Sequence, residues 1–259
     1  NVGVRQSIRQ FSGDSYRIFQ FDSYNSILDQ NNEGDRKGDN LFLKTGFEYF
    51  IDPVQSVALS ATLNGGAGIN DNMTTTTESG LFDSEYYRDT DGLSDRGGYD
   101  INFNYDKKFK NPKQKLTSFV RYSSGGNDGS SEYWTTPQSG FEEVVDPNRA
   151  KNGNEGADTN FDLKTDYVHP FENDNVLEVG FNSRLRTRDD SQLAYIFDDG
   201  NGIFVDDSLY TNQFLYDENI NAAYVQYTTT IGIVGMTLGG RYENVSMNSE
   251  LVNTHEKFE

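Results

Sequence analysis

Hydrophobic and polar residues alternate along much of the chain, most clearly in the segment NINAAYVQYTTTIGIVGMTLGGRYENV, residues 219–245. After a reversal at Gly232, the apolar residues Met236, Leu238 and Tyr242 are separated by polar or small neighbours. A period of two residues is typical of a β-strand whose two faces meet different surroundings. The segment therefore predicts a β-hairpin with one apolar face.

Four such reversals punctuate the sequence, at intervals of about 60 residues. Alternating segments flank each reversal, as in Phe103 and Tyr105 before the second and Leu163 and Tyr167 before the third. The reversals are IDPVQ, KNPKQ, FENDN and TIGIV, with centres near residues 53, 112, 173 and 232. The pattern predicts short turns at these centres, together with a further strand at about 2–11, which gives nine strands in all.

The remaining connections are long and rich in Gly, Ser, Asn and Asp, a composition typical of loops. They cover about 12–39, 64–97, 124–156 and 189–216. Short turns and long loops thus alternate strictly, which puts all the loops at one end of the strands.

The apolar face could meet a protein core, as in a soluble sandwich, or lipid. Strands of about 10–13 residues suit a tilted bilayer crossing, which needs about 9–11. Short turns at one end and long loops at the other are typical of outer-membrane barrels. Aromatic residues also gather near both strand ends, as in the girdles of such barrels: Tyr49, Phe50, Phe109, Tyr167 and Phe171 near the turns, and Tyr99, Tyr122, Phe161, Tyr216 and Tyr242 near the loops. We predict an all-β, antiparallel, up-and-down transmembrane β-barrel in a bacterial outer membrane, with the long loops external.

Composition narrows the function further. The chain has no Cys and only two His, His169 and His255, so neither disulfides nor a His cluster can form within it. A net charge of −19 argues against a nucleic-acid partner. No catalytic motif is recognisable, so we expect no enzyme.

Three hairpins resemble the barrel of TonB-dependent receptors, most of all the outer-membrane β-barrels of Bacteroidetes. They are LKTGFEYFIDPVQSVALSAT, DLKTDYVHPFENDNVLEVGFN and ENINAAYVQYTTTIGIVGMTLGGRYENV. The resemblance implies a barrel of about 22 strands, with a plug, a TonB box and import of a bulky ligand. Nine strands would then be part of a larger barrel, since bacterial single-chain barrels have even numbers.

The sequence contains no plug and no TonB box. One alternative is therefore a non-transporting barrel subunit or scaffold in an outer-membrane assembly or secretion complex. A second alternative is a soluble β-rich binding domain.

Expected partners follow from the barrel assignment. They are outer-membrane lipid and lipopolysaccharide, with TonB, a surface lipoprotein or other outer-membrane complex subunits beside them.

The candidate ligand-binding residues lie in the predicted external loops. Asp198, Asp199, Asp206 and Asp207 form two acidic pairs, in FDDGNG and FVDDSL, whose oxygens suit Ca²⁺, although their spacing is not that of an EF-hand. Solvated loops and ion bridges to lipopolysaccharide are the alternatives. Tyr133 and Trp134 could stack on a sugar or other ligand, or pack within their own loop.

The third turn also sets a register. It places Asp162 opposite Arg184, and Asp158 opposite Arg188, on the polar side of a hairpin. Such pairs predict structural ion-pair ladders. The functional alternative is contact with a plug, or a polar pathway through the barrel.

Overall fold

The chain forms one antiparallel sheet in a computed structural model that describes residues 1–80, 83–139, 149–171 and 175–258. Eleven strands lie in these residues: β1 (Val2–Gln20), β2 (Asn25–Asp52), β3 (Gln55–Ser79), β4 (Ser84–Lys108), β5 (Lys115–Ser139), β6 (Arg149–Pro170), β7 (Val176–Asp198), β8 (Ile203–Asp206), β9 (Asn212–Ile231), β10 (Val234–Leu251) and β11 (Glu256–Phe258). Each long strand pairs with the next long strand along the chain, and the short β8 pairs with β7 at the side. The predicted all-β, antiparallel, up-and-down fold is confirmed. Within the described ranges, no helix is both long and apolar enough to cross a membrane.

The strands are much longer than the sequence predicts. The nine predicted strands correspond to β1–β7, β9 and β10, whereas β8 and β11 are additional short strands. Most described residues of 12–39, 64–97, 124–156 and 189–216 continue these strands, so their assignment to long irregular loops was wrong. Gly-rich and Asn-rich segments can extend a ladder because every backbone N–H and C=O still finds a partner across the strands. Large apolar side chains are therefore not needed to continue the pairing.

Short connections join the strands at the end of the sheet where the sequence predicts tight turns, opposite the end to which the strands are extended. They lie at residues 53–54, 109–114 and 232–233, whereas the third reversal includes residues 172–174, outside the described part of the chain. At the last connection Gly232 has a φ of 65°, while Ile233 keeps a negative φ. A positive φ at the first central residue alone is the requirement of a type II′ hairpin turn, which glycine meets without strain.

The strands are staggered, and the sheet stays open. The stagger can be measured by following directly opposed residues across the sheet. From Gln55, the first residue of β3, this row passes through Tyr167 of β6 and Val225 of β9 and reaches Gly240 of β10. Gly240 lies six residues into β10, which begins at Val234. A stagger of this kind is required of strands that tilt around a barrel. Among the described residues β1 does not pair with β10 or β11, so the sheet is not closed into a barrel.

The two faces of the sheet differ in burial. We call the face that bears Leu43, Phe103, Leu163 and Leu238 the apolar face, and the other the polar face. On the apolar face large side chains stay exposed, for example Phe103 at 39% and Leu238 at 79%. Within the described ranges, the buried side chains all lie on the polar face, and they are small: Ala150, Ala194, Ala222, Ser26, Thr76, Ser84 and Thr135. Three buried alanines are the whole apolar core of the described chain, too little for a domain stabilised in water. The shared dry core of a soluble sandwich is absent from this part of the chain.

Two aromatic clusters border the apolar face. Near the short turns, Phe109, Tyr167, His169, Phe171 and Tyr227 form a continuous series of ring contacts, with centroids 4.7–6.2 Å apart. Further up the strands, Tyr99 and Tyr122 lie with centroids 5.9 Å apart. Tyr99 and Phe109 are separated by ten residues, about 33 Å along a strand and about 23 Å after a 45° tilt. This height matches the apolar band of about 25 Å in outer-membrane barrels. Phe50 and Tyr216, predicted for these girdles, lie on the polar face instead.

Gly180 makes room for a polar contact between strands. The ring of Tyr224 lies over Gly180, and its hydroxyl donates to Oδ1 of Asp166 at 2.7 Å. A Cβ at position 180 would overlap that ring and approach Oδ1 of Asp166 to 2.6 Å.

We therefore expect Gly180→Ala to displace Tyr224 and to destabilise the sheet by about 1–3 kcal/mol, the usual effect of overpacking. The measurement is the temperature at which the compact, heat-modifiable form disappears on a gel. Gly235→Ala is the matched control, because nothing lies within 4 Å of a Cβ built there. Equal stability of the two variants would contradict the assigned packing.

Candidate functional site

The polar face carries a ladder of paired charges beside the apolar band. Asp100, Arg121, Asp162 and Arg184 come from the adjacent strands β4, β5, β6 and β7. Arg121 forms an ion pair with Asp100, and Nε of Arg184 donates to Oδ1 of Asp162 at 2.9 Å. Acid and base therefore alternate from strand to strand, and the ladder is nearly neutral. Such a face can meet water without leaving an uncompensated charge.

The register predicted for the β6–β7 hairpin is confirmed, and one of its two ion pairs forms. Asp162 lies opposite Arg184 and Asp158 opposite Arg188. Arg188, however, forms an ion pair with Asp190 on its own strand, while Asp158 accepts a hydrogen bond from Asn160 at 3.0 Å. Residues two apart in a strand share a face, so a carboxylate on the same strand competes with the one across the ladder.

Other contacts on this face were missed by the sequence reasoning. Nε2 of Gln226 donates to Oε2 of Glu178 at 2.8 Å, and Tyr224 binds Asp166 from two strands away. These contacts depend on β9 pairing directly with β7 while β8 lies beside the path. No turn sequence indicates that pairing.

The aromatic candidates Tyr133 and Trp134 lie in β5, not in a loop, and point to opposite faces. The guanidinium carbon of Arg88 lies 4.6 Å from the centroid of the Tyr133 ring. Trp134 lies on the other face, opposite Arg149. The structure therefore does not combine the two rings into one stacking platform.

The acidic candidates lie around the end of β7, and three of the four support their own turns. Asp198 accepts hydrogen bonds from Asn201 Nδ2 at 2.7 Å and from the backbone N–H of Gly200 at 2.9 Å and Asn201 at 3.2 Å. Asp206 accepts from the hydroxyl of Thr211 at 2.8 Å, and Asp207 accepts from the N–H of Leu209 at 3.2 Å. Asp199 is exposed. Within the described ranges, no group of three or more His, Asp or Glu side chains is arranged to hold a metal ion.

These features define a membrane β-barrel wall: a staggered antiparallel sheet with an exposed apolar band, aromatic borders and a charge-paired polar face. The chain belongs to the outer membrane protein β-barrel family, which matches residues 107–259. It is a protein of the bacterial outer membrane. No curated protein matches the chain.

Solved structures show weak similarity. One similar structure is the outer membrane protease OmpT from Escherichia coli. The match covers 100% of this chain and 89% of OmpT, with 10% identity and a TM-score of 0.30. With 95% of its length it covers 46% of the siderophore receptor PiuA from Acinetobacter baumannii, with 6% identity and a TM-score of 0.29. With 96% it covers 54% of the ferric citrate transporter FecA, with 10% identity and a TM-score of 0.24. The chain thus spans about half the length of these two proteins.

The orientation of the two faces can be tested by labelling, because the chain has no cysteine of its own. In whole cells, Thr237→Cys on the polar face should react with a membrane-impermeant maleimide. Its neighbour Leu238→Cys on the apolar face should resist that reagent, because lipid covers it. Equal labelling of both positions would contradict the assignment.

The turn after β7 should depend on pH in a defined way. The hydrogen bonds from the Asn201 side chain and from the backbone N–H of Asn201 and Gly200 hold the pKa of Asp198 below its ordinary value of 3.8. A lowered pKa means that the charge stabilises the turn above pH 3.8, and that this effect is lost as the pH falls through the folded pKa.

We expect Asp198→Ala to reduce the hydrogen-exchange protection of the Gly200 and Asn201 amides at neutral pH, and strong acid to do the same in the unmodified protein. Exchange normalised to intrinsic rates measures both effects. Asp199→Ala should leave protection unchanged, and a loss of equal size there would show that Asp198 has no special role.

Proposed function

We propose that this sheet is part of a larger TonB-dependent receptor barrel that imports a bulky ligand across the outer membrane. The proposed role is binding and transport rather than catalysis. The open sheet carries this proposal. One edge is β1, with 19 residues, and the other is β10, with 18 residues, of which only Ser249–Leu251 pair with the short β11. In lipid a free strand edge leaves backbone groups unpaired at a cost of several kcal/mol each, so further strands must cover these edges. A barrel with more strands is wider, and a wide lumen suits a bulky ligand.

The sequence likeness supports the receptor class. The hairpin of β9 and β10 contains NINAAYVQY and GGRYE, which resemble a recurrent stretch of these barrels. The two other hairpins that carry the resemblance are built from β2 with β3 and from β6 with β7.

Membrane partners follow from the two borders of the apolar band. Acyl chains cover the side chains between the aromatic clusters. Beyond Tyr99 and Tyr122, the apolar face carries Asp95, Asp128 and Glu155 directly opposite one another. Opposed carboxylates repel one another unless nearby cations screen them. Divalent ions already bound to lipopolysaccharide phosphates would supply this screening without a metal site built by the protein.

The test uses the full-length protein that contains this sheet. We expect it to bind the periplasmic domain of TonB in solution, and we expect cells to lose uptake of its ligand when TonB is deleted. Absence of TonB binding, together with stoichiometric copurification with other outer-membrane proteins, would favour the scaffold instead.

A further inference from the structure

Charges separate between the two faces where β1–β5 extend beyond the aromatic border. On the polar face, residues 3–11 of β1 and the residues opposite them in β2–β5 bear four arginines and no acid: Arg5, Arg9, Arg36 and Arg96. On the opposite face, the same stretches bear Asp35, Asp39, Asp71, Asp91, Asp95, Asp128 and Glu132 with Lys37. Although the whole chain has a net charge of −19, the polar face is therefore positively charged in this region.

The four arginines border a groove. Its floor is a row of small side chains, with Gly38, Gly68 and Ser94 directly opposite one another on β2, β3 and β4. Arg5 and Arg96 belong to the row on one side of this floor, and Arg9 and Arg36 to the row on the other. The groove has a volume of about 810 Å³, and Asn70, Asn127, Asn152 and Asn154 also line it. Lys37, Asp95 and Asp128 also contribute to the lining, although in the strand alternation their side chains belong to the opposite face.

Two of the four guanidinium groups have neutral hydrogen-bond partners, and among the described residues none of the four forms an ion pair with a carboxylate. Nη2 of Arg96 donates to Oδ1 of Asn40 at 2.7 Å, and Nε of Arg36 donates to Oδ1 of Asn70 at 3.4 Å. Arg9 and Arg36 lie directly opposite each other, an unfavourable pairing of like charges. Nearer the short turns, by contrast, Arg121 and Arg184 both have carboxylate partners. An external anion would relieve the repulsion in the groove, since arginine presents several donors to a carboxylate or phosphate.

We propose that this groove binds an acidic oligosaccharide, with the four arginines on its anionic groups and the Asn and Ser side chains on its hydroxyls. Arg5 and Arg9 are four residues apart, or about 13 Å along the strand. Arg5 and Arg96 are three strands apart, or about 14 Å across the sheet. This spread suits an extended ligand with several charges better than one small anion. Binding requires only this wall, so it does not depend on the proposed import.

The first test measures binding of a defined probe to the full-length protein purified in detergent, without TonB. We expect a tetramer of galacturonic acid to bind, with an affinity that falls as salt rises, and neutral maltotetraose not to bind. Arg36→Gln and Arg96→Gln should each weaken binding roughly tenfold, the loss of one charge-assisted hydrogen bond. Arg17→Gln is the matched control on β1, about 26 Å from Arg9, and should leave binding unchanged.

The second test blocks the groove without changing any charge. A Cβ at Gly38 would meet its nearest atoms at 3.5 and 3.6 Å, which is ordinary contact, so Gly38→Leu should fold and abolish binding. Gly13→Leu lies on the same face outside the groove, where a Cβ meets nothing within 4 Å, and should bind normally. Heat-modifiable gel mobility confirms folding of every variant.

Unchanged affinity in Arg36→Gln, Arg96→Gln and Gly38→Leu would overturn the site. Equal binding of maltotetraose, or of polyglutamate as an acid without sugar hydroxyls, would overturn the ligand class. Either result leaves the TonB experiment to decide import separately.

Discussion

The backbone hydrogen bond between neighbouring strands is the interaction on which this molecule depends. A chain with only alanines as its buried apolar side chains has no core to hold it together in the described residues. Nine long strands pair along nearly their whole lengths instead. This ladder has to be complete because lipid offers no alternative partner for a backbone group. The side chains then decide which solvent each face meets, rather than whether the sheet forms.

Alternation of large apolar and polar residues predicts the strands of this sheet only where one face meets lipid, because only there does one face carry large apolar side chains. Phe103 and Tyr105 alternate with Asn102 and Asn104, so the strand is visible in the sequence. In an earlier part of β4, Asp95, Arg96, Gly97 and Gly98 present no large apolar side chain on either face. The ladder continues there because glycine and asparagine pair through their backbones as other residues do. The sequence therefore predicts the membrane-crossing part of each strand and misses the part that continues into water.

The same distinction explains the outcome for the candidate site. Asp162 and Arg184 could be paired from the sequence because a short turn fixes the register of their hairpin. The sequence analysis placed Tyr133 and Trp134 in a loop, where both rings could contact one ligand. They lie in a strand instead, and neighbouring residues of a strand point to opposite faces. The arginines of the groove come from β1, β2 and β4, which pair over segments assigned to loops, so no local pattern could bring them together.

The period of two residues limits how the extended strands can change in length. Asp95 and Arg96 are neighbours, one on each side of the wall. Loss or gain of a single residue between Arg96 and the short turn at 109–114 would shift the register of the part of β4 that lies farther from that turn, and each of its side chains would move to the other face. Carboxylates would then enter the cationic groove, and arginines would face the outside. Sequence changes that lengthen or shorten this wall during evolution should therefore come in pairs of residues, or sit at the distal hairpin ends where no charge pattern is at stake.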